Sequence, residues 1–137
     1  MVLIPAYNEA DNLKILLKRI PSQIDGIKVG CLVVDDGSTD GSNALLKKND
    51  FIKLIEIKSN SGKGYALRRG LKSASYNKII IFDGDMEIQP SEISKLMVLN
   101  SKNRIRCVMG HRFESLKPVK SNLAKSNLRR NISLLKE

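Results

Sequence analysis

The stretch Val-Gly-Cys-Leu-Val-Val-Asp-Asp-Gly-Ser-Thr-Asp-Gly-Ser at positions 29–42 decides the fold of this chain. Its first half is a continuous apolar run, which is typical of a strand covered on both faces of a parallel sheet. Its second half is a polar, glycine-containing loop, and a short helix is predicted to follow it. Open α/β sheets bind ligands beyond the carboxyl ends of their strands, so this loop is a candidate site.

The same order of strand, loop and helix recurs on both sides of this stretch. Residues 1–4 are predicted to form a strand, and apolar residues at helical spacing follow as far as Ile20. Further strands are predicted at 51–57, 78–82 and 105–109, with helices at 64–73 and from Pro90. The predicted fold class is therefore α/β, a doubly wound, mostly parallel sheet with helices on both faces.

Charge is unevenly distributed along the chain. The 137 residues are enough for about one domain, and the formal net charge is +10. Residues 115–137 hold six Lys/Arg and one Glu, which is half of that charge, and Leu128, Ile132 and Leu135 form an apolar stripe among them. We expect a core at 1–114 and a basic helical segment at 115–137 that either packs on the core or faces an anionic membrane.

Other sequence features indicate the state of the cysteines, the cellular location and the class of partner. Cys31 and Cys107 lie in apolar runs without metal-binding spacing, so two buried reduced thiols are predicted. No apolar stretch approaches the roughly 20 residues that span a bilayer, and the expected location is cytoplasmic, including the cytoplasmic face of a membrane. Nucleic acid is not the expected partner, because the chain has only three Phe and three Tyr and no recognised nucleic-acid-binding module.

The first two post-strand loops offer groups for a nucleoside. Tyr7 has a flat face on which a base can stack, while Asn8 and Glu9 either bind polar ligand atoms or cap the next helix. Asp35 and Asp36 are adjacent carboxylates that repel each other unless a donor satisfies them, which favours a contact with base or ribose. The alternative for the second loop is a polar turn with Ser38 or Asp40 as a helix cap.

The next two loops suit a diphosphate and a metal. Gly62 and Gly64 expose backbone N–H groups around Lys63, although the spacing fits neither a Walker loop nor a dinucleotide fingerprint. A basic helix face is the alternative. After the fourth strand, Gly84 permits a turn in which Asp83 and Asp85 converge, and such hard oxygen ligands suit Mg²⁺ or Mn²⁺.

Taken together, these loops resemble a known family. The segments that carry the resemblance are Pro5-Ala6-Tyr7-Asn8-Glu9, the Val-Val-Asp-Asp-Gly-Ser-Thr-Asp-Gly-Ser run at 33–42, Gly62-Lys63-Gly64 and Phe82-Asp83-Gly84-Asp85. In this order they look like the family 2 inverting glycosyltransferases. The run at 85–93 is similar to the dolichyl- or polyprenyl-phosphate sugar synthase branch. The resemblance implies the GT-A form of the α/β fold and a UDP- or GDP-sugar donor.

The resemblance also implies roles for individual residues. Tyr7 would stack on the base, and Glu9 and Asp36 would bind base or ribose. Asp83, Asp85 and Glu87 would hold the divalent ion, with Asp85 as its direct ligand. Pro5, Gly62 and Lys63 complete the expected substrate site, and Asp83 and Asp85, with Arg112, are the expected catalytic residues.

The acceptor is the least specified partner. A hydroxyl acceptor normally needs a carboxylate base, whereas a phosphate acceptor is already an anion. Beyond Glu92 the only acids are Glu114 and Glu137, which favours a lipid-phosphate acceptor whose phosphate Arg112, Arg129 and Arg130 would bind. Solvated charge is the alternative for these arginines, and a glycan acceptor in cell-envelope polysaccharide synthesis is the alternative reaction.

Length is the main departure from the family. Its members are usually considerably longer, and the segments that close the acceptor site are missing after Arg112. We therefore expect a chain truncated on its C-terminal side. A truncated module that binds nucleotide without catalysis is the competing hypothesis.

Overall fold

The sheet stands at the centre of the computed structural model, which describes residues 1–96. Residues 1–93 form one compact unit. In chain order the elements are β1 (Val2–Ala6), α1 (Ala10–Arg19), β2 (Gln23–Ile24), β3 (Ile27–Lys28), β4 (Cys31–Asp35), α2 (Ser42–Lys47), β5 (Ile52–Glu56), α3 (Lys63–Ser73), β6 (Ile80–Ile81) and a 3₁₀ helix (Pro90–Leu96).

Four of the strands form one parallel sheet in the order β5-β4-β1-β6. Val2 lies opposite Cys31 of β4 on one side and Ile80 of β6 on the other. The central strands β1 and β4 are buried along almost their whole length, as their continuous apolar runs predict. The predicted parallel α/β sheet is therefore confirmed, and the loops after its strands all open at one edge.

Helices cover the sheet on both sides. Leu3 and Leu32 pack on one face with Ala66 of α3. Alternate strand residues point to the opposite face, where α2 packs on β4 and β5 and α1 packs on α2. The inner face of α1 buries its leucines completely or nearly so, because its apolar residues recur at helical spacing.

Gly70 allows α3 to approach the sheet closely. A Cβ atom at this position would lie 3.1 Å from Val34 Cγ2 and nearer still to Leu3 Cδ1. Gly70→Ala is expected to lower the free energy of unfolding by about 1–2 kcal/mol, because overpacking a fully buried contact outweighs the gain in helix propensity. Urea unfolding followed by circular dichroism measures the change.

Gly64 in the same helix is the matched control. A Cβ atom there would meet only Arg68 Nη1, at 3.7 Å. Gly64→Ala is therefore expected to leave stability unchanged or to raise it by up to about 1 kcal/mol. Equal effects of the two substitutions would contradict the close packing of Gly70.

The structure adds a hairpin that the sequence analysis did not predict. Strands β2 and β3 pair antiparallel around Asp25 and Gly26, whose φ angles are 49° and 76°. Positive φ at both central residues is the geometry that Asp-Gly favours in two-residue hairpin turns. The Asp-Gly dipeptide could have indicated this hairpin. The flanking strands are only two residues long, so they show no clear alternation of apolar and polar residues.

Element boundaries also differ from prediction. Strand β4 begins at Cys31 and extends to Asp35, because Asp35 still pairs with Ala6 and Glu56. Strand β6 is shorter than the predicted 78–82. The helix that begins at Pro90 is of the 3₁₀ type, with Glu92 N donating to Gln89 O at 2.9 Å.

Cys31 is a buried free thiol, as predicted. Burial raises its pKa to about 12, so it stays protonated at neutral pH. Over the described part of the chain, no helix is both long enough and apolar enough to cross a bilayer. Cys107, the predicted strand at 105–109 and the predicted segment at 115–137 lie outside the described residues.

Candidate functional site

A cleft of about 320 Å³ opens at the carboxyl edge of the sheet. It brings together eight of the predicted site residues, Pro5, Tyr7, Glu9, Asp36, Gly62, Lys63, Asp83 and Asp85. Pro5 lies near the end of β1, and the others come from the loops after β1, β4, β5 and β6 and from the first turn of α3. Parallel strands end at the same edge of a sheet, which explains why segments so distant in sequence meet here. Asn60 and Ala66 also line the cleft and were not predicted.

Asp36 orders the loop that leads into α3. Its side chain is only 3% exposed, and its two carboxylate oxygens accept the backbone N–H groups of Ser61 at 3.0 Å and Gly62 at 2.7 Å. Gly37 adopts φ 77°, and a Cβ atom there would lie 2.7 Å from the Ser59 carbonyl carbon. The two loops therefore touch through backbone, and Asp36 holds them together. The predicted contact of Asp36 with base or ribose stays a prediction.

Asp35 points away from the cleft. It accepts the backbone N–H of Ser38 at 3.1 Å and the Asn43 amide at 2.8 Å. The same amide donates to Glu56 at 2.9 Å. The hydrogen bond from Lys47, followed by that from Asn43, lowers the pKa of Glu56. The adjacent carboxylates of Asp35 and Asp36 are thus satisfied by separate donors of the protein itself, and neither needs a ligand for that purpose.

The segment that carries Tyr7 and Glu9 is bound to the loop at 38–42. Asn8 donates its backbone N–H to Ser38 Oγ at 2.9 Å, and its side-chain oxygen accepts Thr39 N at 2.8 Å. Glu9 N donates to Ser42 Oγ at 3.0 Å. We call this contact between residues 8–10 and 38–42 the junction. Tyr7, which precedes it, is 44% exposed, so its ring is accessible at the cleft wall.

Asp40 caps two helices at once. One carboxylate oxygen accepts Ala10 N, at the start of α1, at 2.9 Å, and the other accepts Ser42 N, at the start of α2, also at 2.9 Å. The Ser42 hydroxyl donates to that second oxygen at 2.6 Å, and this bond is the main reason why the pKa of Asp40 lies below its ordinary value. Its spacing from α2 predicted a helix cap, but nothing in the sequence indicated the contact with α1.

Lys63, Asp83 and Asp85 bring one positive and two negative charges to another part of the cleft lining. Lys63 Nζ donates to Asp83 Oδ1 at 2.7 Å. Asp85 Oδ1 accepts Glu87 N at 3.0 Å in a turn where Met86 has φ 61°. Glu87 does not line the cleft.

Asp83 and Asp85 place two carboxylates in the cleft, where the sequence predicts a divalent ion. Among the residues that the structure describes, no group of three or more His, Cys, Asp or Glu is arranged to hold a metal. The predicted role of Glu87 as a ligand stays a prediction. Mg²⁺ is commonly held by one or two carboxylates together with substrate phosphate and water. The two cleft carboxylates meet that requirement. Arg112, Arg129 and Arg130 lie outside the described residues, and their predicted roles stay predictions.

Relatives of the chain include enzymes that act on lipid phosphates. Dolichol-phosphate mannosyltransferase of Pyrococcus furiosus is 34% identical over 99 residues, which cover 70% of this chain and 28% of that protein. Polyprenol monophosphomannose synthase of Mycolicibacterium smegmatis is 34% identical over 110 residues, covering 71% and 39%. This chain therefore spans well under half the length of these two relatives.

Solved structures share the fold. A mannosyltransferase from Pyrobaculum calidifontis in complex with GDP-Man and Mn²⁺ has a TM-score of 0.53 and 30% identity, covering 61% of this chain and 26% of the other. Glucosyl-3-phosphoglycerate synthase from Mycobacterium tuberculosis in complex with UDP has a TM-score of 0.56 and 26% identity, covering 69% and 37%. These glycosyltransferase neighbours and the parallel sheet agree with the predicted GT-A fold.

The family match covers almost the whole sequence. The family model described as "Glycosyl transferase family 2" matches residues 1–134. The resemblance predicted from the post-strand loops is thereby confirmed, and the chain belongs to glycosyl transferase family 2.

Proposed function

We propose that this chain supplies the donor-binding core of an inverting glycosyltransferase that moves a sugar from a UDP- or GDP-sugar to polyprenyl or dolichyl phosphate. The observation that carries the proposal is the single cleft in which an accessible tyrosine ring, an ordered glycine loop with a lysine, and two carboxylates meet. A nucleoside diphosphate needs these three kinds of group, one for the base, one for the phosphates and one for a metal ion.

The nucleoside half of the donor fits the wall formed by the loops after β1 and β4. The Tyr7 ring offers a stacking face, and Pro5 lines the cleft beside it. Glu9 is engaged on one oxygen by the Asn12 amide at 2.6 Å, and its carboxylate retains capacity to accept a ribose hydroxyl. Each Asp36 oxygen accepts one backbone N–H and has a further lone pair for base or ribose.

The diphosphate half fits the start of α3. Gly62 adopts φ 89°, which glycine tolerates best, and the first N–H groups of the helix follow it. Lys63 adds a positive charge that the diphosphate would share with Asp83. Asp85 and Asp83 would hold Mg²⁺ or Mn²⁺ beside the phosphates. When bound, this ion would neutralise the charge that develops on the leaving diphosphate.

The proposed reaction is an in-line displacement. An acceptor phosphate oxygen forms a bond to the anomeric carbon while the bond from that carbon to the diphosphate oxygen breaks, which inverts the configuration. Because the acceptor is an anion, this chain needs to supply no base. Arg112, Arg129 and Arg130 are proposed to bind the acceptor phosphate, and the basic segment at 115–137 to contact an anionic membrane surface on its cytoplasmic side.

The proposal is tested by calorimetric titration of the 137-residue chain with UDP, GDP and their sugar conjugates, each with Mn²⁺ and with excess chelator. We expect binding of one nucleotide series that weakens at least about tenfold on chelation, because Asp83 and Asp85 would hold a metal ion whose charge attracts the diphosphate. Absence of binding by all four ligand classes would contradict the proposal. Binding without transfer of labelled sugar to polyprenyl phosphate would instead support a non-catalytic nucleotide-binding module.

A further inference from the structure

The wall of the cleft that carries Tyr7 depends on a contact between distant segments. Residues 8–10, which end the loop after β1 and begin α1, contact residues 38–42 through four hydrogen bonds of 2.8 to 3.0 Å. Three of these bonds use backbone N–H groups at the start of α1, where no intrahelical acceptor exists. The loop at 38–42 thus fixes the backbone on both sides of Asn8.

Asn8 is the strained point of this junction. Its φ of 55° is in the left-handed region, which non-glycine residues adopt only at a cost. Its backbone N–H and its side-chain oxygen are both held by the opposite loop. Because Tyr7 and Glu9 flank Asn8, a relaxation of its backbone would move both cleft residues.

Asp40 joins the two sides of this contact through both of its carboxylate oxygens. It accepts three donors, the Ala10 N–H on one oxygen and both the Ser42 N–H and the Ser42 hydroxyl on the other. Asparagine has one oxygen and one donating NH₂ group, so it leaves one side of the junction facing donor against donor. Asp40 itself does not line the cleft, so any influence on ligand binding passes through other residues.

We propose that Asp40 is a positioning residue for the nucleotide site, which holds Tyr7 and Glu9 at the cleft wall by joining the start of α1 to the loop at 38–42. This inference rests on the proposed function for its ligand, since the base is taken to stack on Tyr7. The claim that Asp40 holds Tyr7 and Glu9 in place does not depend on any ligand.

The first test is a double-mutant cycle on binding of UDP and GDP in the presence of Mn²⁺. Asp40→Asn weakens binding of the nucleotide that the wild type prefers by about tenfold, because a displaced stacking ring loses most of its contact. In a Tyr7→Ala background the same substitution weakens binding by less than about threefold, since the stacking ring is already gone and only the Glu9 contact is left to displace. Equal losses in both backgrounds would overturn the proposal.

Asp11→Asn is the matched control. Asp11 also places a carboxylate in the first turn of α1, but among residues 1–96 its side chain bonds only to Lys14, at 2.9 Å, and not to the loop at 38–42. We expect nucleotide affinity within about twofold of wild type for this variant, because loss of a charge near the helix start has a small effect by itself. A loss equal to that of Asp40→Asn would overturn the positioning role in favour of a general charge effect.

The second test needs no nucleotide. The chain has no tryptophan, so Tyr7→Trp creates a single fluorescent reporter at the cleft wall. Adding Asp40→Asn is expected to raise acrylamide quenching of this reporter under conditions where circular dichroism shows a folded protein, whereas adding Asp11→Asn leaves quenching unchanged. Unchanged quenching with Asp40→Asn would overturn the proposal even if nucleotide binds, and absence of nucleotide binding by wild type would contradict the proposed function alone.

Ser38→Ala covers the case in which Asp40→Asn does not fold. It removes only the acceptor of Asn8 N, at 2.9 Å. It is expected to raise quenching of the reporter and to weaken nucleotide binding about two- to threefold, as the loss of one exposed hydrogen bond would. No change in either measurement would contradict the junction as the positioning element.

Discussion

Replacing Asp85 with asparagine is expected to reduce sugar transfer by roughly 10²- to 10³-fold, the loss typical when one electrostatic stabiliser of the developing charge is removed. Asp85 is exposed on the cleft and is not ion-paired with Lys63, unlike Asp83, so its carboxylate is the one free to meet a divalent ion. Asparagine retains an oxygen for the hydrogen bond from Glu87 N, which should preserve the turn. The measurement is transfer of labelled sugar to polyprenyl phosphate, together with the Mn²⁺ dependence of nucleotide binding.

Two further substitutions sharpen this prediction. Asp50→Asn removes the same charge from an exposed turn before β5 and is expected to leave transfer unchanged. Glu87→Gln tests whether Glu87 is a third metal ligand, as the sequence predicts, although Glu87 does not line the cleft. A loss for Glu87→Gln as large as that for Asp85→Asn would support Glu87 as a ligand, and full transfer by Asp85→Asn would refute the proposed metal role of Asp85.

Asp36→Ala is expected to lower the free energy of unfolding by about 2–3 kcal/mol, because it leaves two backbone donors without a charged, buried acceptor. The same substitution should weaken nucleoside diphosphate binding roughly 10²-fold, since the loop that we propose to hold the phosphates loses its anchor. The contacts at stake are those to Ser61 N and Gly62 N. Urea unfolding measures the first effect and calorimetry the second.

Asp35→Ala is the neighbouring comparison for this prediction. Asp35 is buried to the same degree, at 2% exposure, and also accepts two hydrogen bonds, but it faces α2 and not the cleft. We expect a similar cost in stability and a loss of nucleotide affinity below about tenfold. If both alanine variants bound nucleotide equally well, Asp36 would have no special part in the site.

The position of much of the candidate site could be predicted from the order of strands and loops in the sequence, and particular contacts could not. Each loop with polar or charged side chains was predicted to belong to the site because it follows an apolar strand. The loops that follow parallel strands lie at the same edge of the sheet. Asp40 shows where this reasoning stops. Its spacing from α2 predicted a helix cap, but its contact with Ala10 N at the start of α1, 30 residues away, has no signature in composition or periodicity.

The sequence by itself determined the α/β class, the membership of the four post-strand loops in one site, and the kinds of group that the site offers. Strand identity depends on local apolar runs, and the parallel order then follows from the crossover helices. The tertiary structure alone decided which donor each carboxylate meets: Asp36 holds the loop before α3, Asp35 turns to α2, Lys63 pairs with Asp83, and Asp40 caps α1. The physical reason is that a hydrogen bond requires donor and acceptor within about 3 Å and in line, and between loops 30 residues apart only the packed sheet and helices set that distance.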